Sequence, residues 1–250
     1  MTVWRRSAVP FVVGHRGVRG EGRPLENTMP AFAAAHAEGA LAVELDVQLS
    51  RDGEVVVVHD PDLSRITGGD DPRRVGDLEW RELEAVRLRS DARLVRLWDV
   101  LAWARGANIA VNVELKRDGG RKWELARRAA RLVAHAEVDV LLSSFDPLLL
   151  AVAKAVAPHV PSAWLTDAKE SPPFDAMALA ARTPLVVAMH PHYGQVTATR
   201  ADRLHQKGLA LGAYTVNEPQ EITRLVALGV DWLITDTPGA TRDVIASLAG

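Results

Sequence analysis

Hydrophobic residues recur along this chain with two alternating spacings. Short runs rich in Val, Leu and Ile are typical of strands, and longer segments with apolar residues at every third or fourth position are typical of amphipathic helices. Eight strands are predicted, at residues 11–14, 42–47, 109–115, 139–145, 162–166, 184–190, 209–216 and 231–236. Eight helices are predicted, at residues 28–39, 97–106, 122–137, 147–158, 174–182, 197–208, 218–229 and 239–249.

This alternation predicts an α/β fold, specifically a closed (β/α)8 TIM barrel that forms one domain over residues 1–250. A chain of 250 residues has the usual length for one such barrel. A doubly wound open sheet is the alternative. It is disfavoured because no GxGxxG-type nucleotide-binding turn follows the first predicted strand.

An additional strand is predicted outside the barrel. The sequence EVVVV at residues 54–58 follows Asp52-Gly53, a strong two-residue hairpin signal, so this strand should return antiparallel to the second one. A two-residue turn would place Asp46 opposite His59 in the ladder, with both side chains on one face.

A long polar segment, rich in Gly and Pro, follows this hairpin. It is interpreted as a small insertion at about residues 60–96, with one short helix near 79–87. Long insertions after barrel strands are usually functional loops.

Charged residues and histidines cluster where the predicted strands end. They are His15, Arg16, Glu44, Asp46, His59, Glu114 and Lys116. Because the C-terminal ends of barrel strands face the same mouth, we expect these side chains to converge there.

Each group suits one part of a common chemistry. Three carboxylates form an all-oxygen site for a hard divalent cation, Ca²⁺ or Mg²⁺. Two imidazoles from different strands suit a general acid and a general base near neutral pH. Arg16 and Lys116 suit an anionic group, with phosphate the leading candidate. Together these groups predict the cleavage of a phosphoester.

Each residue taken alone has a simpler interpretation. A single His at a strand end is more often a surface residue, and an exposed Glu114–Lys116 ion pair would contribute only about 0–1 kcal/mol. His190 and His192 lie at the end of the sixth predicted strand and could line the mouth, but no chemistry requires them. The convergence of all the other groups at one end of the strands favours a functional site.

Composition narrows the possible partners. The formal net charge of −2 gives no basic field that would favour nucleic acid, and the absence of Cys excludes disulfides, thiol nucleophiles and Cys-based zinc sites. No signal peptide or membrane-spanning run is visible, so we expect a cytoplasmic protein without stable membrane insertion. The oligomeric state is left open.

The chain resembles the glycerophosphodiester phosphodiesterase family. The matching motifs are in family order and extend over nearly the whole chain. They are GHRG at 14–17, ENT at 26–28, ELDV at 44–47, DG at 52–53, HD at 59–60, VELK at 113–116, SSF at 143–145, YTVN at 214–217 and GVDWLITDTP at 229–238. Tyr214 stands where the family often has Trp, and Ser50-Arg51 precedes the DG pair where a Thr and a Lys or Ala are common. Both departures leave the substrate preference open.

The resemblance implies a metal-dependent hydrolase that converts a glycerophosphodiester, a small-molecule substrate, to glycerol 3-phosphate and an alcohol. The implied roles are catalytic for His15 and His59, ligation of one divalent cation for Glu44, Asp46 and Glu114, and substrate binding for Arg16, Lys116, Glu26, Asn27 and Tyr214. The resemblance also implies that a glycerol hydroxyl attacks phosphorus first, which gives a cyclic phosphate that water then opens.

Three other functions compete with this hypothesis. A lysophospholipase D-type activity on the same barrel would be favoured by an apolar mouth or an interfacial helix. A non-catalytic ligand-binding barrel would be favoured by loss of a His or a carboxylate, yet both His and all three acids are present. A His-metal amidohydrolase is disfavoured because no HxH follows the first strand.

Overall fold

The computed structural model describes residues 2–167 and 185–248, which form a closed barrel of eight parallel strands. In order of pairing, the barrel strands are β1 (Phe11–Gly14), β2 (Ala42–Leu49), β5 (Ala110–Leu115), β6 (Val140–Ser144), β7 (Ser162–Thr166), β8 (Ala188–Pro191), β9 (Ala210–Ala213) and β10 (Trp232–Thr235). The ring closes because β1 pairs with both β2 and β10. The predicted TIM barrel is confirmed, and each of the eight predicted strands has its counterpart.

Helices cover the outside of the barrel. The longer ones are α1 (Met29–Ala37), α4 (Leu97–Ala107), α5 (Lys122–Ala134), α6 (Pro147–Val156), α7 (Ala198–Gln206), α8 (Pro219–Ala227) and α9 (Pro238–Leu248). In α5, Leu125, Ala129 and Val133 are spaced by four residues and are buried, whereas Arg127 and Arg128 are exposed. The apolar stripe that predicted this helix is therefore the stripe that packs on the sheet.

One predicted helix, at residues 174–182, lies outside the described residues. Each helix in the described parts of the chain is too short or too polar to cross a lipid bilayer.

Aromatic side chains fill the N-terminal end of the barrel. Trp4 lies before the first strand, is 2% exposed, and packs with Phe11 and Trp232 at ring-centroid distances of 5.8 and 5.6 Å. Alanines from five strands surround these rings in one buried cluster. Because alanines leave space that large rings can fill, the N-terminal segment closes the bottom of the barrel and leaves the other end for a site.

The additional strand β3 (Val55–Val57) pairs antiparallel with β2, as predicted, but the predicted register is wrong by one residue. Val47 pairs with Val57, and the backbone N–H of Val58 donates to the carbonyl oxygen of Asp46 at 2.9 Å. Asp46 therefore does not lie opposite His59 in the ladder.

The cause of this shift is a three-residue turn. The backbone N–H of Ser50 donates to the carbonyl oxygen of Glu54, and the Ser50 hydroxyl donates to Asp52 at 2.6 Å while it accepts from the Glu54 N–H at 2.8 Å. Gly53 closes the turn at φ 93°, which a residue with a side chain rarely adopts. These contacts satisfy a longer turn than the two-residue one that the Asp-Gly pair predicts.

The residues between β3 and α4 form a compact segment beside the barrel mouth. It contains the short helices α2 (Ser64–Thr67) and α3 (Trp80–Leu83) and the strand β4 (Val95–Arg96), which pairs antiparallel with β3. Apolar residues of this segment are buried in a cluster of their own together with Val56 and Val58. The hairpin thus anchors the segment to the barrel.

Candidate active site

Three buried carboxylates meet at the mouth of the barrel. Asp46 on β2 and Glu114 on β5 are in register on neighbouring strands, and Glu44 precedes Asp46 by two residues on the same face. One oxygen from each carboxylate lies within 4.8 Å of the other two. The structure therefore brings these three predicted residues together, and it explains why a strand buried along its whole length carries two acids.

The electrostatics of this triad are uneven. Burial raises the pKa of Glu44 well above its usual range, and the carboxylates of Asp46 and Glu114 add to the shift. Burial also raises the pKa of Glu114, although Lys116 acts in the opposite direction. For Asp46, burial acts to raise the pKa, but the charges of Arg16 and Lys116 hold it well below its usual range.

The donor set of the triad fits a hard cation. All three side chains offer carboxylate oxygen, and within the described residues Asp46 Oδ1 accepts no hydrogen bond. Buried acids that raise one another's pKa have unfavourable interactions that a positive ion would relieve. Oxygen donors in such a group suit Ca²⁺ or Mg²⁺.

The tight turn after β1 places Arg16 against the triad. Gly17 has φ 86° and lies so close to α1 that a Cβ atom would be 2.5 Å from the backbone carbon of Ala31. Arg16 itself has φ 51°, a left-handed conformation that is uncommon for a residue with a side chain. Its backbone N–H donates to Glu44 at 2.9 Å, and its Nε lies 3.0 Å from Asp46 Oδ2.

Lys116 approaches the triad from the neighbouring strand. Its buried Nζ lies 2.9 Å from Glu114 Oε1 and 3.5 Å from Asp46 Oδ1. Arg16 and Lys116 thus put two positive charges beside three carboxylates. An anionic group that entered the mouth would meet both cations.

His15 and His59 each contact a carboxylate through the same ring nitrogen. His15 Nδ1 lies 2.7 Å from Asp236 Oδ1, and His59 Nδ1 lies 2.5 Å from Asp60 Oδ1. Burial lowers the pKa of both imidazoles, and this effect is opposed for His15 by the hydrogen bond with Asp236 and for His59 by the charge of Asp46. With Nδ1 engaged, Nε2 is the atom left for proton transfer.

Asp60 and Asp236 are site residues to which the sequence analysis assigned no role. Asp236 follows β10 as His15 follows β1, and the register Gly14–Thr235 brings the two residues side by side. Burial acts to raise the pKa of Asp236, but the hydrogen bond with His15 lowers it to about 2. Its position directly after the last strand was the signal that could have identified it, once barrel closure was assumed.

Glu26 and Asn27 are buried and contact protein groups of the site. Glu26 accepts hydrogen bonds from Arg16, Arg19 and Arg65 at 2.7, 2.7 and 2.9 Å. The Asn27 side chain donates to Asp46 Oδ2 at 2.9 Å and accepts from the Asp46 backbone N–H at 3.3 Å. Both side chains therefore orient charged groups of the site.

Three aromatic side chains lie on the opposite side of the barrel. The Tyr214 hydroxyl donates to the Thr166 carbonyl oxygen at 2.9 Å, and burial raises its pKa. His192 lies edge-on to the Tyr214 ring at 6.0 Å. His190 lies inside β8, is fully buried and accepts from the Trp232 indole N–H at 3.1 Å, and burial lowers its pKa to about 3. Of the two histidines at this strand, His192 is the one beside the predicted substrate-binding Tyr214.

Two cavities differ in what they offer to a substrate. One of about 520 Å³ is bounded by Glu26 and Asp236, the partners of Arg16 and His15. Another of about 750 Å³ lies at the far end of the barrel, beside the N-terminal segment, and neither an acid nor a His lines it. The chemical groups of the mouth therefore adjoin the first cavity.

Comparison with known proteins agrees with the motifs. The model of the glycerophosphoryl diester phosphodiesterase family matches residues 15–240. A glycerophosphodiester phosphodiesterase from Bacillus altitudinis is 31% identical over 244 residues, which covers 91% of this chain and 94% of the relative.

Solved structures match over nearly the whole length of the chain. The glycerophosphodiester phosphodiesterase from Thermotoga maritima has a TM-score of 0.78 at 27% identity and covers 94% of this chain and 98% of its own. A phosphodiesterase from Oleispira antarctica, in complex with the product sn-glycerol-3-phosphate, has a TM-score of 0.84 at 24% identity and covers 95% of this chain and 97% of its own.

Proposed function

This chain belongs to the glycerophosphoryl diester phosphodiesterase family, and from that premise we propose that it hydrolyses glycerophosphodiesters to glycerol 3-phosphate and an alcohol. The observation that carries the proposal is the meeting of three buried carboxylates, two cationic side chains and two carboxylate-bound imidazoles at one mouth. The product bound to the Oleispira antarctica phosphodiesterase supports the same product here.

Glu44, Asp46 and Glu114 would hold one divalent cation, Ca²⁺ or Mg²⁺. When bound, such an ion would neutralise negative charge on the phosphate and lower the pKa of a hydroxyl group in contact with it. Asn27 would keep Asp46 in place for this role, because it bonds both the side chain and the backbone of that residue.

The chain's own residues supply the remaining steps. Arg16 and Lys116 bind the phosphate oxygens, since their positive charges lie beside the triad. One of His15 and His59 accepts the proton of the attacking hydroxyl, and the other donates a proton to the leaving alcohol oxygen. Asp236 and Asp60 fix Nδ1 of each ring and so leave Nε2 for these transfers.

The attacking group is the glycerol hydroxyl next to the phosphodiester. The chain has no Cys, and within the described residues no Ser or Thr hydroxyl bonds His15 or His59. An intramolecular attack gains from proximity, with effective molarities that reach about 10⁵ M or more. The cyclic phosphate that forms is then opened by water, with the two imidazoles exchanging roles.

The test is a substrate panel with the purified chain: glycerophosphocholine, -ethanolamine, -glycerol and -inositol, each with Ca²⁺, Mg²⁺ or excess EDTA. We expect release of glycerol 3-phosphate with a divalent cation and its loss in EDTA. Full activity in EDTA, with no metal found by elemental analysis, would rule out the cation. A glycerophosphodiester carrying the attacking hydroxyl as a methyl ether should bind but turn over far more slowly; hydrolysis at the normal rate would mean that water attacks directly.

One observation favours a lysophospholipase D-type activity as a second candidate. Trp98, Trp123 and Leu148 are 60%, 40% and 61% exposed, and each is the second residue of α4, α5 or α6. The N-termini of these neighbouring helices lie at the mouth end of the barrel, because the helices run antiparallel to the strands. Large apolar side chains around a mouth suit a lipid surface. A lysophospholipid added to the panel, below and above its micelle concentration, tests this candidate; it fails if no head-group alcohol is released.

A further inference from the structure

The 520 Å³ cavity beside the mouth has a wall of arginines. Its charged lining consists of Arg19, Arg23, Arg65, Arg89, Glu26 and Asp236. Glu26 and Asp236 also form its connection to the site, because they bond Arg16 and His15. This cavity therefore adjoins the mouth, and Glu26 and Asp236 stand between the two.

Arginines outnumber acids in this lining, but acids just outside it pair with two of the arginines. Arg23 pairs with Glu38 and Arg65 pairs with Asp60, so Arg89 is the arginine of this wall that has no acidic partner among the described residues. The two carboxylates are moreover shared with the site, since Glu26 also accepts from Arg16 and Asp236 also bonds His15. Arg19 bonds both acids, and Arg65 bonds Glu26 and, outside the cavity, Asp60.

Two of the arginines have donor groups that protein atoms do not use. Arg23 pairs with Glu38 through one terminal nitrogen, yet its Nε is buried without a hydrogen-bond partner within the described residues. Arg89 is exposed, and within residues 2–167 and 185–248 it has no ion pair. Of the two, the Arg89 guanidinium is exposed in the wall, so an anionic ligand can reach it, whereas the Arg23 Nε is enclosed by protein atoms.

The backbone directly after Arg89 adopts an uncommon conformation. Ser90 and Asp91, the next two residues, have φ 64° and 54°, in the left-handed region that residues with side chains rarely adopt. Strained backbone of this kind is often kept where a side chain must be positioned for function.

We propose that this cavity selects glycerophosphodiesters whose alcohol half carries an anionic group, such as a carboxylate or a phosphomonoester. The proposal rests on the proposed function and adds a substrate class to it. Cationic alcohols such as choline would place a positive charge among four guanidinium groups, so they are poor substrates. Neutral alcohols are intermediate.

The experiment compares kcat/KM for four substrates that differ only in the alcohol. They are glycerophospholactate with a carboxylate, glycerophosphoinositol 4-phosphate with a phosphomonoester, the neutral glycerophosphoglycerol, and the cationic glycerophosphocholine. The wild-type chain should prefer both anionic substrates, and the preference should shrink with added salt because partly exposed charges are screened. A preference for only one anionic substrate identifies the bound group as a carboxylate or a phosphate.

Variants at Arg89 locate the preference in the cavity. Arg89→Gln should lower the ratio of kcat/KM for the anionic substrates to kcat/KM for the neutral substrate by about fivefold, which is the effect expected from the loss of one partly exposed charge contact. Arg89→Lys should retain part of the ratio, and Arg89→Glu should lower it further and raise the relative rate with glycerophosphocholine. Arg93→Gln is the matched control, since Arg93 is an exposed arginine of the same segment that does not line the cavity.

Two outcomes would overturn this inference and leave the proposed function standing. One is a wild-type enzyme that hydrolyses the panel without an anionic preference. The other is an Arg89→Gln variant that loses the same factor on all four substrates, which would mean that the cavity holds the shared glycerol half. If none of the four is hydrolysed, the proposed function fails and the substrate class fails with it.

Discussion

Two aspartates, Asp236 and Asp60, contact the two imidazoles of the site. His15 contacts Asp236 and His59 contacts Asp60, in both cases through Nδ1. A carboxylate in this position fixes the ring orientation and raises the affinity of the imidazole for a proton. The two acids therefore act as positioning residues for the histidines.

Asp236→Asn should change the pH dependence of turnover as well as its rate. Burial lowers the pKa of His15 and the Asp236 hydrogen bond opposes that effect, so removing the negative charge should lower the His15 pKa further. The limb of the pH–rate profile that depends most on His15 should move to lower pH, and kcat should fall about tenfold or more. Asp243→Asn, an exposed acid on α9, is the control. A profile that keeps its position would contradict the positioning role.

Glu114→Gln should weaken binding of a divalent cation and turnover together. The side chain keeps its size but loses the negative charge that the triad offers, and we expect at least about a tenfold loss in affinity. Isothermal titration with Ca²⁺ and Mg²⁺ measures this directly. Glu137→Gln, at an exposed site, should bind as the wild type does. Equal affinities in the two variants would exclude Glu114 as a ligand.

The acidic triad could be predicted from the sequence because period-two spacing puts Glu44 and Asp46 on one face, and parallel strands end at one mouth. The His15–Asp236 contact could not, because it joins residues 221 positions apart and depends on which strand pairs with the first one. Local spacing carries no information on that pairing. The motifs that contain Asp60 and Asp236 could be recognised in the sequence. The contacts of these two side chains with the imidazoles could not.

At the scale of elements, the hairpin of β2 and β3 shows the limit of a turn signal. Asp52-Gly53 correctly predicted a reversal, yet the turn has three residues because Ser50 supplies two side-chain hydrogen bonds. His59 still comes near Asp46: burial lowers the His59 pKa, and the negative charge of Asp46 opposes that shift. This proximity arises after the ladder ends, in a stretch that strand periodicity does not describe.

Gly53→Ala should destabilise the fold by about 1–2 kcal/mol, the cost of a left-handed backbone at a residue with a Cβ. The new methyl group would also lie 2.5 Å from the Arg128 guanidinium carbon and would have to displace that flexible side chain. Urea unfolding gives the free energy. Gly120→Ala, at an open position with no positive φ, should change it little. A Gly53 variant as stable as this control would mean that the turn tolerates a side chain.

At the scale of the whole molecule, the two ends of the barrel have different contents. Aromatic rings and alanines fill the N-terminal end, and charged groups occupy the mouth. The sequence predicted the eight strands and the mouth, because both follow from the alternation of elements. It did not predict the role of Trp4, which precedes the first strand and belongs to no periodic pattern.

Trp4→Ala should lower the free energy of unfolding by about 3–5 kcal/mol, since it removes a large buried side chain and leaves a cavity among small ones. Trp98→Ala is the matched control, because Trp98 is 60% exposed and its loss should cost much less. Chemical denaturation of both variants measures the difference. Similar losses in the two would show that the N-terminal segment does not hold the barrel together.

The pairing of β1 with β10 has a consequence for folding during synthesis on the ribosome. Phe11–Gly14 can pair with β2 early, but its second partner, Trp232–Thr235, is synthesised more than two hundred residues later. Until then β1 keeps an unpaired edge, which in a nascent chain invites wrong pairing. His15 likewise lacks its partner Asp236 at this stage, whereas His59 and the three carboxylates of the triad are already present in the emerged chain. The last strand therefore completes both the sheet and the His15–Asp236 pair in the same event. A nascent chain that ends before this strand lacks the closed sheet and lacks that pair.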